Sequence, residues 1–240
     1  MTARLGIITG SEIEISRILE GIREERIATP YGEPSSDVQI GLVNEREVAL
    51  LFRHGKQHRF PPHRVNSKAN IHALSELGVE RIVGTSSVGS LKKEIKPMDF
   101  VVPSDYVSFW NIPTFNEEEV VHITPVLDPE LRKKLVGCIR SLGYEVHDGG
   151  VYIQTVGPRL ETKAEIRIFE GFGDLVGMTM SSEATLAVEK DIPYASICSV
   201  DNYCHGILDE ELSYDRILEN QRKNSERLFA VISKAIEVLA

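Results

Sequence analysis

The chain has 240 residues, 42% of them apolar and 26% charged, proportions of a globular fold that exclude a disordered chain or a fibrous repeat. Its 27 Lys and Arg stand against 36 Asp and Glu, and the formal charge of −9 argues against phosphodiester backbones and anionic lipids as partners. A small anion escapes that exclusion, because a pocket can be locally basic on an acidic protein.

Leu5–Ile8 is a short apolar run ending in Thr9-Gly10-Ser11, the pattern of a first strand entering a polar loop. Val38–Leu42 and Val48–Phe52 are β-rich and flank Asn44-Glu45-Arg46, which predicts a hairpin. From Asn66 to Leu77 the apolar residues Ile71, Leu74 and Leu77 keep a helical spacing that Gly78 closes. Arg81–Val83 and Phe100–Val102 read as strands. Asp128-Pro129-Glu130 combines a capping Asp, a Pro at the first helical position and an acidic first turn, predicting a helix to about Leu142-Gly143. Val151–Val156 reads as a strand, Thr162–Phe169 and Ser181–Val188 as helices, and Tyr194–Val200 as another strand. From Tyr214, the spacing of Ile217, Leu218, Leu228, Phe229, Ile232, Ile236 and Leu239 predicts a long final helix. No repeat, low-complexity tract or linker interrupts this order, so the expectation is one α/β domain over residues 1–240, with a mixed central β-sheet flanked by helices.

Absent motifs narrow the chemistry. The chain has neither a P-loop nor a dinucleotide-binding glycine fingerprint. Gly84-Thr85-Ser86-Ser87-Val88-Gly89 misses the spacing of a hydrolase nucleophile elbow by one place, which argues against a serine hydrolase. His54, His58 and His63 cluster but match no zinc spacing, so no metal is expected. Cys138, Cys198 and Cys204 are odd in number and lack CxxC spacing, the usage of reduced thiols in a cytoplasmic protein. The start MTARLGIITG lacks a secretory apolar region, and no stretch reaches the roughly 18 apolar residues of a membrane span.

What remains is a set of small polar and basic residues where strands are expected to end: Ser11, Arg53-His54-Gly55, Ser86-Ser87 and Thr179. Ligands of open α/β sheets bind at such ends, where loops and helix N-termini offer N–H groups. Hydroxyls with one Arg and one His suit a phosphate dianion, the Arg supplying a charge-assisted pair and the hydroxyls neutral donors.

Arg53-His54-Gly55-Lys56-Gln57-His58, Pro61-Pro62-His63-Arg64-Val65-Asn66, Gly89-Ser90-Leu91, Gly157-Pro158-Arg159-Leu160-Glu161-Thr162, Gly177-Met178-Thr179 and Tyr194-Ala195-Ser196-Ile197 occur in this order. Together they resemble the trimeric purine nucleoside phosphorylase and methylthioadenosine phosphorylase family, over about Leu5 to Leu218. The resemblance implies a nucleoside phosphorylase-like fold and cleavage of a purine nucleoside's N-glycosidic bond by inorganic phosphate, giving free base and pentose 1-phosphate. It implies phosphate binding by Ser11, Arg53, His54, Ser86 and Thr179, with Met178 under the ribose. It implies no cofactor beyond phosphate as co-substrate, and a trimer or hexamer of identical chains.

By the same resemblance Asn202 stands at the N7-contacting position, with Asp201 the rival if the alignment slips by one residue. Asn there goes with 6-oxopurines and Asp with 6-aminopurines. Glu161 falls where a carboxylate accepts N1–H of a 6-oxopurine; adenine's bare N1 would meet it lone pair to lone pair. A helix-start role for Glu161 is the alternative. Cys204 occupies a place that is Asp in the adenine-selective branch. Leu160 stands where the family usually stacks a Phe on the purine, and Asp105–Phe115, with Trp110, replaces a more polar stretch. Tyr214, Ile217 and Leu218 approach the 5′ pocket, and His122 matches a residue reaching a neighbouring subunit's 5′ pocket. The expectation is a 6-oxopurine nucleoside phosphorylase of methylthioinosine, inosine or guanosine type, with a methylthioadenosine phosphorylase or a non-catalytic purine-binding protein as the alternatives.

Overall fold

The computed structural model describes residues 5–10, 15–110, 112–209 and 213–240. In its first half, β1 (Leu5–Thr9) is followed by β2 (Glu20–Glu25), β3 (Val38–Val43), β4 (Arg46–Phe52), α1 (Ser67–Glu76) and β5 (Arg81–Ser90). Then come β6 (Phe100–Val102), β7 (Asp105–Ser108), α2 (Pro129–Ser141), β8 (Val146–Asp148) and β9 (Val151–Gln154). The chain ends with α3 (Lys163–Phe169), β10 (Leu175–Gly177), α4 (Met180–Glu189), β11 (Tyr194–Tyr203) and α5 (Tyr214–Leu239).

The strands form one mixed sheet in the order β2-β3-β4-β1-β5-β10-β9-β7, from which β11 pairs with β5 and β6, and β6 with β8. Its two faces divide the helices. Ile8, Ala49, Leu51 and Ile82 pack with Ile71 and Leu74 of α1 and Ala184 and Leu186 of α4. Leu5, Ile7, Leu50, Val83 and Ile197 pack with Leu131, Leu135 and Ile139 of α2 and Val231, Ile232 and Ile236 of α5. A strand buried on both faces needs apolar residues at every position, which is why β1 and β4 read as runs rather than alternations.

The expected α/β fold and mixed central sheet are observed, as is the β3–β4 hairpin. Four short strands are additional to the strands read from the sequence, one of them the three-residue β10. β2 is exposed, charged and at an edge, while β7 and β8 are short and partly exposed, so none of these three carries a sequence signal of burial. One placement is corrected: Ser86 and Ser87 lie within β5, which runs on to Ser90, rather than after a strand ending at Val83.

That longer β5 creates the opening on which the site is built. β1 runs parallel to it only as far as Ile8 opposite Gly84, and β10 runs antiparallel to it from Gly89 and Ser90. The C-terminal ends of β1 and β10 therefore point toward each other across Thr85–Val88, whose edge neither strand covers. β11 pairs along the opposite edge from Ile82 to Ser90, with a bulge at Asp201.

Candidate active site

A cavity of about 990 Å³ opens over the uncovered stretch of β5. At one end stand Gly10, Arg53, His54, Ser86 and Thr179; at the other, Leu160, Glu161, Asn202 and Cys204; α5 contributes Tyr214 and Ile217.

Arg53 directly follows β4, and its backbone N–H donates to the Thr9 carbonyl at 2.9 Å, tying it to the end of β1. The residue is 1% exposed. Its Nε and Nη2 donate to the two Glu183 oxygens, the Nη2 bond measuring 2.9 Å, and Nη1 donates to the Thr85 carbonyl at 2.8 Å. Glu183 also accepts the Tyr194 hydroxyl at 2.8 Å. Burial opposes the guanidinium charge, but Glu183 outweighs it and holds Arg53 protonated. A β-carbon at Gly10 would stand 2.9 Å from Arg53 Nη1 and 3.7 Å from His54 Nε2, so the bare glycine leaves a cradle between them.

His54 Nδ1–H donates to the Phe60 carbonyl at 2.7 Å, and the ring stacks on His58 with centroids 4.2 Å apart. A carbonyl only accepts, so the neutral ring carries its lone pair on Nε2. Burial, reinforced by the Arg53 charge, lowers the imidazole to about 4. The Ser86 hydroxyl is buried and has no hydrogen-bond partner among the described residues. Thr179 is the N-cap of α4 but its hydroxyl does not cap; its N–H donates to the Tyr152 hydroxyl at 3.2 Å. An arginine, two uncommitted hydroxyls and a helix N-terminus make an anion site.

At the other end, Thr162 and Glu165 form the capping box of α3. Glu161 is thus not needed to start that helix; one of its oxygens accepts the Thr155 hydroxyl at 2.7 Å and the other has no hydrogen bond among the described residues. Asn202 donates one amide proton to the Tyr203 carbonyl at 2.8 Å, leaving its second N–H. Burial, with lesser contributions from Glu161 and Glu170, pushes the Cys204 thiol up and keeps it protonated. Leu160 and Met178 line the cavity, the Met178 sulfur packed where a β-carbon of Gly157 would stand.

The structure corrects two expectations, those for Asp201 and Leu218. Asp201 does not serve as a free rival to Asn202: one carboxylate oxygen accepts the Ser87 hydroxyl and the other accepts Asn224 Nδ2 at 2.6 Å. Leu218 is half-buried on α5 outside the cavity lining. His122 is exposed and does not line its own chain's cavity. Ser11 lies outside the described residues.

Glu183, Gly10 and Asn224 were not singled out from sequence. The signal for Glu183 was available: a carboxylate followed by Ala184, Leu186 and Ala187 on a helix that packs against the sheet demands a buried partner. Among the described residues no three His, Cys, Asp or Glu side chains group to hold a metal, and no helix is long and apolar enough to cross a membrane.

Comparison with known proteins adds three findings. Residues 4–237 match the family model described as the phosphorylase superfamily. The chain is 42% identical over 234 residues to a probable 6-oxopurine nucleoside phosphorylase of Archaeoglobus fulgidus, covering 97% of this chain and 96% of that one. It is 43% identical to a probable S-methyl-5′-thioinosine phosphorylase of Methanocaldococcus jannaschii, covering 97% and 91%. The crystal structure of a methylthioadenosine phosphorylase from an antarctic soil metagenomic library superposes with a TM-score of 0.91 at 35% identity, covering 99% of this chain and 86% of that one.

Proposed function

Because the chain belongs to the phosphorylase superfamily, we propose that it cleaves the N-glycosidic bond of a 6-oxopurine nucleoside with inorganic phosphate. The observation that carries this reading is the sharing of one cavity by an anion site, at Arg53, Ser86 and Thr179, and a purine-facing pair, Glu161 and Asn202.

The chemistry follows from the charges. As the C1′–N9 bond breaks, its electron pair enters the purine and the sugar becomes oxocarbenium-like. A phosphate oxygen beneath the sugar stabilises that cation and then forms the new C1′–O bond. Arg53, Ser86 and Thr179 orient the anion, and His54 Nε2 offers an acceptor for the one P–O–H of a hydrogen phosphate. The second N–H of Asn202 stabilises charge growing at N7, and the proton that hydrogen phosphate sheds on becoming a dianionic sugar ester ends on the departing purine. No covalent protein intermediate is needed; positioning and preorganised donors supply the rate. Glu161 accepts N1–H of hypoxanthine or guanine, and adenine lacks that proton. The adenine-selective alternative draws on the similar methylthioadenosine phosphorylase structure, but Glu161 and Asn202 argue for the oxopurine.

Phosphate is the co-substrate and no cofactor enters this scheme. The exposed Phe109, Trp110 and Phe172 beside Phe169 favour a homo-oligomer, which the family resemblance makes a trimer or hexamer. In it His122 would complete a neighbour's 5′ pocket, and Tyr214 and Ile217 leave the choice between 5′-methylthio and 5′-hydroxyl open. The three free, buried cysteines fit a cytoplasmic protein. Phosphorus NMR of the enzyme with inosine and phosphate tests the proposal: a sugar monoester signal should grow as inorganic phosphate falls, and hypoxanthine formation without that signal refutes it.

A further inference from the structure

β11 carries one extra residue against β5, because Val200 faces Val88 and Asn202 faces Gly89, leaving Asp201 without a ladder partner. A bulge re-aims the side chain that follows it, and here that side chain is Asn202. The bulge is held from two sides. Ser87 of β5 donates its hydroxyl to the Asp201 carboxylate, and Asn224 of α5 donates to it at 2.6 Å. Gln221 reaches the same group, donating to the Ser87 hydroxyl at 3.1 Å. One turn before Asn224, Asn220 donates to the Asp201 carbonyl at 2.7 Å. Three amides within five residues of one helix thus close on a single residue that is itself 1% exposed.

We propose that Asp201 is a positioning residue for base recognition, clasped between Ser87 and α5 so that the bulge presents Asn202 to the purine. Asn224 meets the carboxylate through a donor and the Ser87 hydroxyl already accepts from Gln221, so an amide at this position either sets its N–H₂ against Asn224 or turns the Ser87 proton away from the clasp. The same helix lines the sugar end of the cavity through Tyr214 and Ile217, so the clasp also joins the base and sugar ends through one element. This inference rests on the purine-site reading but does not require turnover.

Calorimetric binding of hypoxanthine to the wild type, Asp201→Asn, Asn202→Ala and the double variant tests it as a cycle. A residue acting through Asn202 lowers affinity about tenfold alone but less than about twofold in the Asn202→Ala background. Additive losses of equal size in both backgrounds would overturn the proposal. Should Asp201→Asn fail to fold, Ser87→Ala removes one donor without touching α5, and it should show a smaller loss with the same dependence on Asn202. Loss unaffected by Asn202→Ala overturns the proposal there too. Failure of phosphate-dependent cleavage in the wild type would refute the catalytic reading instead, and this binding cycle would still decide the role of Asp201.

Discussion

The Arg53 guanidinium and the Glu183 carboxylate meet through two hydrogen bonds in an interior where Arg53 is 1% and Glu183 0% exposed. The pair joins the end of β4 to the first turn of α4, beside the anion site. Because Glu183 already neutralises the charge, Arg53 works there as a fixed donor rather than as a loose cation, with its outer Nη protons left for an anion. Breaking such a pair leaves one buried charge uncompensated. Glu183→Ala should therefore cost about 3–5 kcal/mol of unfolding free energy, measured by urea denaturation. Glu183→Gln, which keeps one acceptor, should cost less and should raise the phosphate KM more than the nucleoside KM.

The same network explains a glycine. A β-carbon at Gly84 would stand 2.1 Å from the Tyr194 hydroxyl and 3.2 Å from a Glu183 oxygen. Both neighbours are locked by their own hydrogen bonds, so neither can yield. Gly84→Ala is expected to destabilise the fold by about 1–3 kcal/mol, the usual penalty of overpacking, and to weaken phosphate saturation with it. Unchanged thermal stability and unchanged phosphate KM would show that Tyr194 can move away freely.

Base choice rests on two polar side chains. Asn202→Asp replaces a donor with an acceptor and should raise activity on 6-aminopurine nucleosides relative to inosine, read as the ratio of kcat/KM values. Glu161→Gln should lower kcat/KM for inosine on the order of 10²-fold, the scale of losing one well-placed transition-state contact. A wild-type preference for methylthioadenosine over methylthioinosine would contradict both assignments.

Much of this arrangement was legible in the sequence, for identifiable reasons. Continuous apolar runs marked β1 and β4, and Asp128-Pro129-Glu130 marked the start of α2, because burial on both faces and helix capping both restrict residue type locally. Arg53, Ser86 and Thr179 were legible only as a group, because each alone suits a cap or turn and their joint occurrence points to an anion, although Ser86 lies within β5 rather than after a strand. The Arg53–Glu183 pair was not, since its members lie 130 positions apart and only the fold brings them together. The orientation of Asp201 was equally hidden: spacing places it beside Asn202, but the donors that turn it toward α5 lie on β5 and α5. Glu161 illustrates a third case, in which two roles were open until Thr162 and Glu165 took over the helix cap.

Burial raises the Asp201 carboxyl to about 6 from 3.8, while Ser87, Asn224 and Gln221 act against it; no charged side chain contributes. The unfolded chain releases this proton near pH 4 and the native state near pH 6, so in between the native state binds more protons. The contribution of Asp201 to stability is then largest below pH 4, declines as pH rises to 6 and is flat above. Asp201→Asn removes that slope. The melting temperature of the variant minus that of the wild type should rise from pH 4 to pH 6, corresponding to roughly 2–3 kcal/mol. A difference constant with pH would show that Asp201 titrates near its ordinary value.

The account turns on whether phosphate is the nucleophile. The most direct measurement is the rate of hypoxanthine release from inosine and from methylthioinosine as inorganic phosphate is raised from zero. A hyperbolic dependence that extrapolates to no release without phosphate, with one pentose 1-phosphate formed per base, is the predicted result. Release at the same rate without phosphate would make the enzyme a hydrolase and contradict the role assigned to Arg53, Ser86 and Thr179.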